Sequence, residues 1–312
     1  MIDRLATMLR SRLARILFLV VAVGAAVYFV MSQWDDVRAA LLAIPGTTML
    51  LAGVTGLVYV ASTMLSWRAI LADLGSSLGI REASSIFFVS QLGKYVPGGV
   101  WNVVAAAELG ADAKIPRRRS LSVMVVAILV SIVTGLALAV VAIAFSPSAV
   151  AAKYWWVSFA FPVFLFALVP RLLNRLLNFA LKTAKRPPLE HALSGGGIVR
   201  SSAWALFAWV VAGAHVWLLT TALGMEGSPR SFAFVVGGYA LAWTVGFLVV
   251  FVPAGVGARE AVLAAVLYGQ LDQGGVVATV LVSRVLLTLG DVTLGLAVLV
   301  TRRGRTSNPS AP

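Results

Sequence analysis

Five charged side chains lie within or at the edge of strongly apolar segments: Lys94, Arg259, Glu260, Arg284 and Asp291. A charge at the centre of a bilayer costs about 2.5 kcal/mol or more, so such residues persist when they are paired or used. Arg259-Glu260 follows Pro253-Ala254-Gly255-Val256-Gly257. Proline removes an amide donor and breaks the helix. The helix that restarts presents free N–H groups and a partial positive charge, and Gly255 and Gly257 would let a phosphate approach the backbone. The chemistry expected there is capture of an anionic headgroup, with Arg259 on the phosphate and Glu260 orienting it or holding a cationic group. The plainer alternative makes both residues ordinary helix-start charges at an interface.

A second break, Lys94-Tyr95-Val96-Pro97-Gly98, has the same ingredients. Lys94 and Tyr95 would meet a phosphate there, or Lys94 would snorkel to the interface. Trp101 and Asn102 are candidates to line the same cavity, with Trp101 alternatively an interfacial anchor. Glu108 would neutralise Lys94 or Arg259, or end a solvated helix. Arg284 and Asp291, seven residues apart, share one helical face. Both should point inward, as an ion-pair network or as substrate contacts. His215 reads as a hydrogen-bonded packing residue, and Gly135, Gly237, Gly238, Gly290 and Gly295 as helix-packing positions.

Other chemistries are excluded or unsupported. With no cysteine, disulfides, thiolate catalysis and cysteine–metal sites are ruled out. No hydrolase triad, nucleotide-binding Walker loop or metal-ligand cluster stands out, so neither a cofactor nor a metal is expected, and the chain does not read as an enzyme.

The elements that must position these residues belong to a membrane. Hydrophobic residues are 60% of the 312 and charged residues only 12%, about half the charge of a soluble domain. Apolar runs long enough to span lie at about 13–31, 47–71, 121–145, 154–169, 198–223 and 274–300. The first reads as a retained signal anchor. Two further stretches, 83–111 and 231–271, must enter and leave on one side. The first is too short for two spans and reads as a re-entrant hairpin; the second is either a hairpin or two full spans. The fold class expected is an all-α integral membrane protein with about six full spans and two broken or re-entrant hairpins. One membrane domain covers 1–305, followed by a disordered tail at 306–312. Arg171 to Arg186 forms a basic amphipathic stretch expected on the membrane surface.

The net charge of +13 does not imply nucleic acid, because the basic residues sit in blocks between apolar runs. Walking from a cytoplasmic N-terminus, only Arg38, Lys153 and Arg230 fall outside, and Lys94, Arg259 and Arg284 are embedded. This asymmetry puts both termini in the cytoplasm of a plasma-membrane protein. Trp67…Leu74-Gly75…Val96-Pro97 is echoed by Trp217…Leu223-Gly224…Val252-Pro253. Units 47–145 and 198–301 would be inverted repeats, an arrangement that puts a transport site between paired broken helices.

The two breaks carry a family resemblance. Gly93-Lys94-Tyr95-Val96-Pro97-Gly98-Gly99-Val100-Trp101 and Pro253-Ala254-Gly255-Val256-Gly257-Ala258-Arg259-Glu260 resemble the two signatures of the flippase-like membrane domain of lysylphosphatidylglycerol synthases. The resemblance implies translocation of aminoacylated or glycosylated lipids between leaflets. The soluble catalytic domain of the full-length synthases has no counterpart in this sequence, so aminoacyl transfer is not expected. Membrane lipids are the expected partners. Two alternatives stay open: a membrane scaffold for a cell-envelope biosynthesis enzyme, and a polyprenyl-phosphate-dependent transferase with Glu108 or Glu260 as base.

Overall fold

The computed structural model describes residues 34–95, 100–146, 155–249 and 255–306, together with Met31 and Ala152. The expected anchor up to residue 30, Pro97, Gly98, Pro253 and the tail beyond Thr306 lie outside the described residues. Eleven α-helices are present among the described residues. They are α1 Trp34–Ala43, α2 Gly46–Asp73, α3 Ile80–Gln91, α4 Trp101–Asp112, α5 Arg117–Ile143, α6 Phe161–Ala167, α7 Pro170–Thr183, α8 Gly195–Ala222, α9 Pro229–Leu248, α10 Ala258–Leu267 and α11 Gln273–Thr306.

Five of these, α2, α5, α8, α9 and α11, are long and apolar enough to cross a membrane. The protein is therefore a multi-pass membrane protein of all-α class. Large side chains left on the outside, such as Leu50 and Val54 on α2, Phe207 on α8 and Leu289 and Leu296 on α11, are stable against lipid rather than water. The expected span at 154–169 takes a different form. A 3-10 turn covers Trp155–Ala160, α6 is only seven residues, and the chain bends by 59° into α7. Pro170 is the cause: it has no N–H to continue α6 and holds Val169 extended, at φ −63° and ψ 122°. A sixth span exists by length only if this bent pair is counted as one.

The largest helix pair is α2 against α8. Small residues let the backbones approach: Ala52, Gly56, Ser62 and Ser66 on α2, and Ala205, Ala208 and Ala212 on α8, all buried. Ser66 and Ser201 hydrogen-bond across the pair at 2.9 Å, as packing between membrane helices favours. His215 is fixed between α2 and α11, with Nδ1 2.7 Å from the Ala52 carbonyl and Nε2 3.0 Å from Ser283 Oγ. Gly237 packs so closely on α5 that a Cβ would stand 2.1 Å from that of Ala142.

Two antiparallel helix pairs enter this bundle from opposite ends. At one end the Asp73 carboxylate accepts from Ser194 N–H and Oγ–H, and Arg119 donates to the Gly75 carbonyl. There α2 and the segment before α8 meet the start of α5. The pair α3–α4 enters here and turns at Gly93, which lies against the Trp101 and Asn102 backbone. At the other end, Arg230 at the start of α9 donates to the Phe145 and Ser146 carbonyls after α5. From here α9 descends and α10 returns beside it, with Gly246 against Arg259 and Gly238 against Val266. Twelve residues in α3 and in α4 reach about 18 Å, and ten in α10 about 15 Å, roughly half a bilayer. Helix α9, with 20 residues, is the full-length arm of its pair.

Candidate functional site

The two turns converge on a cavity of about 180 Å3, room for on the order of ten waters. Helix α2 contributes Tyr59, Ser66 and Trp67 to its wall; α5 contributes Met124, Ile128 and Ser131; α9 contributes Trp243, Gly246 and Phe247. Gln91, Lys94, Tyr95 and Asn102 come from the α3–α4 pair, Gly255 and Arg259 from the second turn, and Arg284, Thr288 and Asp291 from α11.

The charges are arranged in three groups. Asp291 is nearly fully buried, and its Oδ2 accepts from the Lys94 ammonium at 2.7 Å and from the Tyr95 hydroxyl at 2.6 Å. Its Oδ1 has no hydrogen-bond partner among the described residues. Glu260 accepts from the Gly257 N–H at 2.6 Å and lies 3.4 Å from Arg284 Nη1. Its carboxylate therefore closes the start of α10 and holds an α11 cation at once, the reciprocal half of a helix cap. Arg259 donates to the Tyr239 hydroxyl, with its guanidinium 4.8 Å from the centre of the Tyr239 ring. Tyr239 is itself wedged edge-on against Tyr59 and Trp209, with ring centres 6.4 Å away in each case.

The glycines of the second turn do something other than bare their backbone. Gly255 has φ +68°, and a Cβ there would stand 2.8 Å from the Gly246 carbonyl oxygen. Its bare Cα lets the turn press against α9. Gly257, at φ +87°, faces open space, but its N–H is already given to Glu260.

Over residues 12–295 the sequence matches the model of the lysylphosphatidylglycerol synthase TM region. The chain belongs to that family. No curated protein shows a match to it. The matched region contains both antiparallel helix pairs and all five charged residues of the site.

The structure brings Lys94, Tyr95, Asn102, Gly255, Arg259, Arg284 and Asp291 to one cavity, with Glu260 directly behind Arg284. It does not bring Glu108 there. That carboxylate is exposed near the end of α4 and takes two hydrogen bonds from Arg117, at 2.8 and 2.7 Å. Trp101 is 47% exposed on the outside of α4. Arg284 and Asp291 face the interior, yet each carboxylate–cation pair joins different elements: Asp291 with Lys94, and Arg284 with Glu260. Tyr59, Tyr239 and Trp243 are the residues that sequence reasoning passed over. Their signal was a phenol or indole in the middle of an apolar span, where the polar tip needs a partner.

Proposed function

We propose that this protein is a lipid translocase of the plasma membrane, with both termini cytoplasmic, that takes an anionic, aminoacylated or glycosylated headgroup into the cavity and passes it between leaflets. The observation that supports this most is the meeting of two helix pairs, entering from opposite ends, at a cavity lined by Lys94, Arg259 and Arg284. A backbone that breaks at membrane depth needs protein or water around it. Paired breaks are where transporters built from inverted repeats hold their substrate. Gly75 and Gly224, which end the two matching Trp…Leu-Gly stretches, both take positive φ, +87° and +101°, in keeping with a repeat of units 47–145 and 198–301.

The protein acts without catalysis in this reading. A transferase would need a free carboxylate at the cavity, and Glu108 is held by Arg117 while Glu260 is held by Gly257 and Arg284. The test is reconstitution into vesicles with a fluorescent phosphatidylglycerol in both leaflets, followed by quenching from outside. Wild type is expected to make the inner-leaflet probe accessible, and Arg259→Ala, checked as folded by its melting curve, is expected not to. No acceleration by wild type over empty vesicles would overturn the reading and favour a scaffold.

A further inference from the structure

Counting the charges at the cavity gives an odd result. Three cations line it: Lys94, Arg259 and Arg284. Two carboxylates belong to them, and each is committed: Asp291 to Lys94, and Glu260 to Arg284. Arg259 has instead a phenol, the Tyr239 hydroxyl and ring. Other titratable groups near the site are the hydroxyls of Tyr59, Tyr95 and Tyr239, which are neutral at physiological pH. In the sequence, residues 96–99 and 250–254 include no ionisable side chain. Among the described residues the site is thus one negative charge short.

From this we infer that the cavity selects a single negative charge: its ligand class is a phosphodiester-linked lipid, held by Arg259, and phosphomonoester or pyrophosphate lipids are rejected. The inference rests on the translocase reading and names the substrate class of the same site. Its physical basis is that a low-dielectric site tolerates little unbalanced charge. A monoanion on Arg259 brings the sum to zero. A dianion leaves one negative charge uncompensated unless it displaces Asp291 or Glu260: Asp291 would then be buried without its cation, and the partly exposed Glu260 would lose the Arg284 guanidinium 3.4 Å away. Arg259 suits the role geometrically. Tyr239 holds one nitrogen and one face of the guanidinium, and the planar fork keeps other donors for two phosphate oxygens. The Tyr239 ring, locked against Tyr59 and Trp209, fixes where that fork points.

The experiment measures binding of short-chain phosphatidylglycerol, phosphatidic acid and phosphatidylcholine to the detergent-purified protein at about pH 8.5, where a phosphomonoester is a dianion. Wild type is expected to bind phosphatidylglycerol at least about tenfold more tightly than phosphatidic acid, a difference of about 1.4 kcal/mol. Asp291→Asn and, separately, Glu260→Gln each add one net positive charge and are expected to move the preference towards phosphatidic acid by about tenfold. Both are near-isosteric, and either one that keeps the wild-type melting curve suffices. Equal or tighter binding of phosphatidic acid by wild type would overturn the charge selection while leaving a headgroup site standing. A preference unmoved in a folded variant would overturn it too. Failure of all three lipids to bind would overturn both the selection and the translocase reading beneath it.

Discussion

The Lys94 ammonium rests 2.7 Å from the Asp291 carboxylate, tying the turn after α3 to the middle of α11. Asp291 is 3% exposed and Lys94 31%. Removing one partner of a fully buried pair costs about 3–5 kcal/mol, and partial exposure of Lys94 should reduce this to about 2 kcal/mol for Lys94→Met. Adding Asp291→Leu removes the orphaned carboxylate, so the double variant is expected to regain at least half of that loss. Unfolding of the four proteins in one detergent measures it as a double-mutant cycle. Strict additivity would show that the pair contributes nothing.

That pair also marks how far the sequence could be read. The spans at α2, α5, α8 and α11 were legible because a long apolar run has one good solution in lipid. Both breaks were legible because proline and glycine interrupt such runs. Partner choice was not. The apolar helices are hydrophobic nearly all round, so periodicity does not say which face meets which neighbour. Arg284 and Asp291 share a face of α11, yet their partners come from different elements, at Glu260 and Lys94. Glu108 read equally as a partner for Lys94 or Arg259 and as a solvated helix end, because its distance from Arg117 in space cannot be read from spacing; the structure gives the solvated end.

The two glycines of the second turn should tolerate alanine unequally. Both have positive φ, which costs an L-residue about 1–2 kcal/mol. At Gly255 the new methyl would also meet the Gly246 carbonyl at 2.8 Å, whereas at Gly257 it meets open space. Gly255→Ala is therefore expected to lower the melting temperature more, and to impair lipid binding by moving Arg259. Equal shifts would mean that the turn does not press on α9 as described.

At the end where α5 begins, Glu190 bridges Arg118 and the buried Arg119. The Arg118 hydrogen bond, together with the charge of Arg119, holds the Glu190 carboxyl below its ordinary range. A depressed carboxylate contributes stability that is complete above the unfolded-state pKa and is lost as pH falls through the folded one. The 184–194 segment should thus loosen from α5 in acid, below the ordinary glutamate range. Hydrogen exchange of that segment is expected to quicken there in wild type. Glu190→Gln should exchange faster at neutral pH and show a flatter acid response. An identical acid response in the variant would rule out this carboxylate as the cause.

The sidedness of the molecule can be tested directly, because a chain without cysteine accepts single-cysteine labels cleanly. Lys114, between α4 and α5, and Glu226, between α8 and α9, are both exposed and lie at opposite ends of the bundle. In intact cells an impermeant maleimide is expected to label Glu226→Cys and to miss Lys114→Cys until the membrane is opened. Labelling of both from outside would refute the orientation.

Helix α7 presents three faces to three surroundings. Leu173 and Leu177 are buried against the bundle, Leu176 and Phe179 are exposed apolar side chains, and Arg171, Arg175 and Lys182 form an exposed basic row. Positions 171, 175 and 182 fall within about 40° around the helix at 3.6 residues per turn. Leu176 and Phe179 fall between that row and the buried Leu173 and Leu177. This division fits a helix lying in the interface, with its bulky apolar side chains among acyl chains and its cations at the headgroups. Spin labels on single cysteines in vesicles should therefore report three environments. Phe179→Cys is expected to collide with oxygen more than with a water-soluble nickel complex, Arg175→Cys the reverse, and Leu173→Cys with neither. If Phe179→Cys met the nickel complex as freely as Arg175→Cys, α7 would stand in water, and its basic row would have to be explained without a membrane surface.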